Sequence, residues 1–94
     1  MEKGYIIFTV TTANGSVPIE GARIVLNVGE KKKESITKAD GRCYSFEFDY
    51  SAESDPFLEG TAKITAEGYQ AVTLEKIIIY KNVTTVRIVN LNKI

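Results

Sequence analysis

One stretch, Thr61-Ala-Lys-Ile-Thr-Ala-Glu-Gly-Tyr69, limits what this chain can become more than any other. Ala62, Ile64 and Ala66 alternate with Lys63, Thr65 and Glu67. A period of two puts the apolar residues on one side of an extended strand and the polar ones on the other. On a helix the same residues would scatter around the cylinder. The pattern stops at Gly68-Tyr69, where a turn lets the tyrosine fold back over the core. A second strand pattern starts at Gln70.

The rest of the chain has the same character. Tyr5 to Thr12 reads as a strand with Ile6, Phe8 and Val10 inward and Tyr5, Ile7, Thr9 and Thr11 outward. Ala13-Asn14-Gly15-Ser16 is a turn. Pro18 cannot donate to a ladder, so Val17-Pro18-Ile19 is an edge or a connector. Gly21 to Val28 is the next strand, with Ala22, Ile24, Leu26 and Val28 on one face and Arg23, Val25 and Asn27 on the other. Glu30-Lys31-Lys32-Lys33-Glu34 reads as a charged, solvated bend rather than an anion site. A short edge strand covers Glu34 to Thr37. Lys38 to Arg42 is a tight turn into a strand over Cys43 to Asp49. Tyr44, Phe46 and Phe48 are expected inside that strand, with Cys43 on the opposite face. Tyr50 to Gly60 is the one long loop. Gly60 to Glu67 and Gln70 to Tyr80 are strands, and a bulge near Glu75-Lys76 reconciles Val72 and Leu74 with Ile77 and Ile79. The last strand runs from Val83 to Leu91. Its register is open, since Val86 and Ile88 fit one face and Val89 and Leu91 the other. No amphipathic helix is evident. Seven short strands separated by turns predict an all-β protein, a seven-stranded antiparallel β-sandwich, with an up-and-down barrel as the less favoured alternative.

Composition narrows the chemistry. Ninety-four residues make one domain, residues 1–94, with room for a single core. Twelve basic residues balance twelve acidic ones, which leaves no electrostatic footprint for nucleic acid or an anionic membrane surface. There is no histidine, so triads, metal sites and pH switches built on imidazole are excluded. The lone Cys43 has no base to activate it and reads as inert. The longest apolar run, Ile77-Ile78-Ile79-Tyr80, is far too short to span a bilayer, so no membrane insertion is expected. Met1-Glu2-Lys3-Gly4 leads straight into strand, so no signal peptide is expected in this stretch. The chain then reads as cytoplasmic or as cut from a longer exported protein. No cofactor, metal site or catalytic grouping is expected, and the protein is not expected to be an enzyme.

Three segments carry a resemblance. They are Pro18-Ile19-Glu20-Gly21-Ala22-Arg23-Ile24-Val25-Leu26, Thr37-Lys38-Ala39-Asp40-Gly41-Arg42-Cys43-Tyr44-Ser45-Phe46, and Ala66-Glu67-Gly68-Tyr69. In that order they resemble the carboxypeptidase regulatory-like domain, a transthyretin-like or prealbumin-like sandwich. The resemblance implies a seven-stranded prealbumin-like Greek key that serves as an accessory module. Val-Thr-Thr-Ala and Pro-Ile-Glu-Gly-Ala early, with Ala-Glu-Gly-Tyr, Asn-Val-Thr and Val-Asn-Leu late, are more loosely similar to a domain of clostridial spore and cell-wall proteins. There it accompanies peptidoglycan-binding or cortex-lytic modules, which implies a cell-envelope or spore location. The hydrolase branch of transthyretin-like sandwiches relies on histidines, so its activity does not carry over.

The expected function is therefore contact with a protein partner or a cell-wall polysaccharide. The candidate contact residues are Tyr50, Asp55 and Phe57 of the long loop, and after them the outward Tyr5, Ile7 and Val25. A second expectation, of a different kind, is self-assembly as a homodimer. The consecutive isoleucines around Ile78 cannot all enter one core, so a second copy would cover the outer face, unless a bulge or a covering loop accounts for them.

Overall fold

The computed structural model describes residues 3–13, 15–49 and 57–94. They form strands β1 (Lys3–Thr12), β2 (Val17–Pro18), β3 (Arg23–Val28), β4 (Lys31–Ile36), β5 (Phe46–Asp49), β6 (Phe57–Thr65), β7 (Val72–Tyr80) and β8 (Thr84–Asn90). Two four-stranded sheets result. In the first, β1 is central, with β2 and β5 along one side and β8 along the other; the second has the order β4-β3-β6-β7. Every pairing is antiparallel except β1 with β8, which is parallel from Tyr5↔Thr84 to Thr11↔Asn90. Strand alternation does not signal direction, so the expectation of a wholly antiparallel sandwich missed this pair. The all-β architecture is as expected.

The core is what period-two alternation dictates. Ile6, Phe8 and Val10 of β1 meet Ile24 and Leu26 of β3, Ala62 and Ile64 of β6, and Ile77 and Ile79 of β7, all at 1% exposure or less. Phe8 and Phe46 pack edge to face with ring centroids 5.9 Å apart. Val89 and Leu91 are buried while Val86 and Ile88 are exposed, which fixes the register of β8.

Three further expectations are corrected. Residues 57–60, expected in the long loop, are the start of strand β6. Tyr44 is not in the core but 70% exposed, whereas Cys43 is buried. The strand begins only at Phe46, and residues 43–45 leave the regular pleat, so alternation cannot be counted back from Phe46. Arg42 bridges Thr9 and the Cys43 amide donates to the Phe8 carbonyl, which turns the thiol inward. Lys31 to Glu34 is strand rather than bend, because the turn is the two-residue loop Gly29-Glu30 between paired Val28 and Lys31. Gly29, at φ 59°, supplies the left-handed backbone such a loop needs. Lys33 then lies across the open side of the sandwich, its ammonium 4.7 Å from the centre of the Phe48 ring and donating to the Glu47 carbonyl.

The quoted motifs occupy structural posts. The Thr37 hydroxyl donates to the Ile19 carbonyl at 2.7 Å and accepts from the Ala22 amide at 2.9 Å, clipping the entry of β3 to the end of β4. Asp40 Oδ1 accepts from the Arg42 amide at 2.9 Å, an Asx turn. Gly41 is confined twice over, by φ 80° and by the Val10 carbonyl, which would lie 2.6 Å from any Cβ. The bulge lies at Lys76 (φ 55°), where the β6–β7 register shifts between Gly60 and Ala62. Val72 and Leu74 before it, and Ile77 and Ile79 after it, thereby all pack inward.

Candidate functional site

The described part of the expected contact surface lies on the outer face of the second sheet, at one end of the β6–β7 ladder. Phe57 pairs with Tyr80 and Glu59 with Ile78. These four side chains share one face because they alternate with the inward Leu58, Ile77 and Ile79. The rings of Phe57 and Tyr80 are 6.4 Å apart at 59°, and each remains about half exposed, at 42% and 51%. Ile78 is half-buried beside them and Glu59 is exposed. Cross-strand pairing, which spacing along the chain does not display, thus brings Phe57 and Ile78 together as diagonal neighbours. Tyr50 and Asp55 lie outside the described residues. Val25 sits on the same outer face but between Glu34 and Lys63, away from the aromatic pair. Tyr5 and Ile7 belong to the outer face of the other sheet, beside Thr84 and Val86.

The two rings offer π-faces and Ile78 an apolar floor, and Glu59 accepts hydrogen bonds at their edge. An aromatic face beside a carboxylate suits the C–H face and hydroxyls of a sugar, or an apolar peptide side chain with a neighbouring donor. Among the described residues, no three His, Cys, Asp or Glu side chains are grouped so as to hold a metal.

The perturbed titrations lie elsewhere. The Lys3 ammonium is shifted up by its hydrogen bond and charge interaction with Glu47, 3.4 Å away, and by the charge of Asp49. The Cys43 thiol is pushed up by burial, against the opposing effects of the Phe8 amide and the cationic Lys38 and Arg42. A raised thiol pKa is the reverse of what a nucleophile needs.

Two surface features were not anticipated. Tyr44 carries the Lys38 ammonium 4.7 Å from its ring centre, a contact reported by no local pattern. Val86 and Ile88 are an exposed apolar pair on β8, which became readable only once Val89 and Leu91 were seen to be inside. Among the described residues no helix is long and apolar enough to cross a membrane. No protein-family model matches the chain, and no curated protein is significantly similar to it.

Proposed function

We propose that this chain is a non-catalytic accessory β-sandwich module that makes contact with a protein or a cell-wall glycan, as part of a larger envelope- or spore-associated protein. The observation that carries the reading is the exposed Phe57–Tyr80 pair with Ile78 and Glu59 on the same face. Large aromatics left half in water on a rigid ladder cost solubility, and they are the residue types that dominate contact energies at interfaces.

The carboxypeptidase regulatory-like, prealbumin-like reading of the fold is part of the proposal. Without the two-residue β2, seven strands remain, three in one sheet and four in the other, which supports a seven-stranded Greek key. The motif residues Thr37, Asp40 and Gly41 serve that fold rather than a ligand, which agrees with an accessory role.

The test is an amide-resolved titration of the protein with soluble peptidoglycan fragments, cell-wall polysaccharide and apolar-basic peptides. Shifts are expected at Phe57, Glu59, Ile78 and Tyr80 for one of these. Phe57→Ala and Tyr80→Ala should each weaken that binding by about 1–2 kcal/mol, with Tyr44→Ala as a silent control. Shifts confined to other surfaces, or none with any probe, would overturn the assignment. The second reading, a self-assembling structural protein, is favoured by one particular strand edge.

A further inference from the structure

The four edges of the two sheets are not alike. Edge strands expose unpaired amides and carbonyls, and monomeric proteins blunt them with charge, proline, brevity or bulges. The β4 edge carries Lys31, Lys32, Lys33 and Glu34, with Lys33 turned inward. The β7 edge is broken by the bulge at Lys76, next to Glu75. Opposite β8, the first sheet ends in the two-residue β2, with Pro18, and the four-residue β5, with Glu47 and Asp49. The β8 edge has only one of these devices, the charge of Arg87. It runs Thr84-Thr-Val-Arg-Ile-Val-Asn90 with one charge, no proline, no glycine and no bulge, and among the described residues β1 is its only ladder partner.

Its hydrogen-bonding side can be read from the ladder. The Val83 carbonyl accepts from Tyr5 and the Leu91 amide donates to Thr11, so the odd-numbered residues of β8 turn their backbone groups to β1. Alternation sends the amides and carbonyls of Thr84, Val86 and Ile88 to the open side. Their side chains stand on the outer face, where Val86 is 50% and Ile88 72% exposed. Residues 84–88 thus present an apolar side-chain row and a backbone row with no ladder partner among the described residues.

We propose that β8 is a docking edge whose occupant is β8 of a second copy, paired antiparallel about a twofold axis through Val86. Charge rules out one neighbouring register, and side-chain pairing favours this one. An axis through Arg87 would set two guanidinium groups opposite each other, which cross-strand pairing disfavours. An axis through Val86 places Val86 against its copy and Thr84 against Ile88, with Arg87 against Thr85. Every outer-face pair is then β-branched, the residue class that packs best across strands. The join makes one continuous sheet across the dimer. It uses only about five residues a side, a strand length of ~17 Å, so the dimer is weak and concentration-dependent. The inference rests on the reading of the chain as a contact module and names a partner for it.

The test pairs sedimentation equilibrium on the whole chain, over a wide concentration range, with residue-resolved hydrogen exchange at both ends of that range. A monomer of 10.4 kDa is expected at the dilute end and a dimer at the concentrated end. Concentration should protect the amides of Val86 and Ile88 and leave Thr85 and Arg87 unchanged. Ile88→Lys should weaken association about tenfold or more. Val86→Pro should do the same, since that amide serves no internal ladder. Ile36→Lys, at another exposed isoleucine on β4, should leave association intact. Thermal unfolding of each dilute variant reports whether it is folded, and Ile88→Lys changes no backbone group if Val86→Pro proves strained. A monomer at every concentration overturns the proposal. So does a dimer whose Val86 and Ile88 amides stay unprotected, or one abolished by Ile78→Lys and not by Ile88→Lys. A constant monomer that still binds glycan or peptide through Phe57 and Tyr80 would sink the β8 pairing alone.

Discussion

Cys43 is 3% exposed, and its sulfur accepts from the Phe8 amide at 3.3 Å. Burial raises its pKa, so the folded protein holds the thiol proton more tightly than the unfolded chain does. That contribution to stability is complete below the unfolded thiol value of about 8.5 and is lost as pH rises through the higher folded one. Two outcomes follow. The native thiol should react with a maleimide far more slowly than in denaturant. Cys43→Ala should remove part of the fall in stability seen above that pH, measured by denaturant titration at stepped pH. Parallel curves for the two proteins would contradict this. The sequence pointed to an inert thiol but placed it on the wrong face, and the same error put Tyr44 inside. Both mistakes come from counting alternation back through residues 43–45. There the Asp40–Gly41 turn and the close approach of Gly41 to the Val10 carbonyl set the path instead.

Among the elements, β7 was the most legible and β4 the least. In β7 the conflict between the parities of Val72 and Leu74 and of Ile77 and Ile79 required one extra residue, and the structure places it at Lys76 with a left-handed backbone. In β4 the charges drew attention from the Gly29-Glu30 loop, and a run that is paired strand resembled solvated bend. Deleting Lys76 provides a test. Without it, Ile77 still alternates inward after Leu74 and Glu75 pairs with Thr61, so the shortened chain should fold. Relief of the left-handed residue favours it by about 1–2 kcal/mol. The straightened edge should also associate more readily than the bulged one. Urea unfolding and light scattering would report the two effects. A deletion variant that fails to fold would show that the strand needs the bend itself rather than only the parity. The candidate contact surface was half legible for a related reason. Phe57 and Ile78 each stood out, but only the cross-strand register makes them neighbours of each other and of Tyr80 and Glu59.

At the scale of the molecule, the first and last long strands close the first sheet. The Thr12 hydroxyl donates to the Leu91 carbonyl at 2.7 Å, and Leu91 is fully buried although it lies just past the end of β8. Contacts that join the two ends of a chain carry the largest loop-closure cost and tend to form late in folding. Leu91→Ala should therefore cost about 2–5 kcal/mol. It should raise the unfolding rate and leave the folding rate nearly unchanged, as a chevron plot would show. A slowed folding limb would instead place β8 in the nucleus. Direction of pairing was the least legible property of the chain, because parallel and antiparallel strands bury the same alternating residues. It also has a mechanical meaning. The chain enters β1 at one end of the β1–β8 ladder and leaves β8 at the other, so tension passed along the polypeptide drags the two strands past each other lengthwise. The bonds between them are then loaded together, in shear, instead of being opened one by one like a zip. A module inserted in a longer chain would in this way resist a pull along that chain more than its modest core suggests.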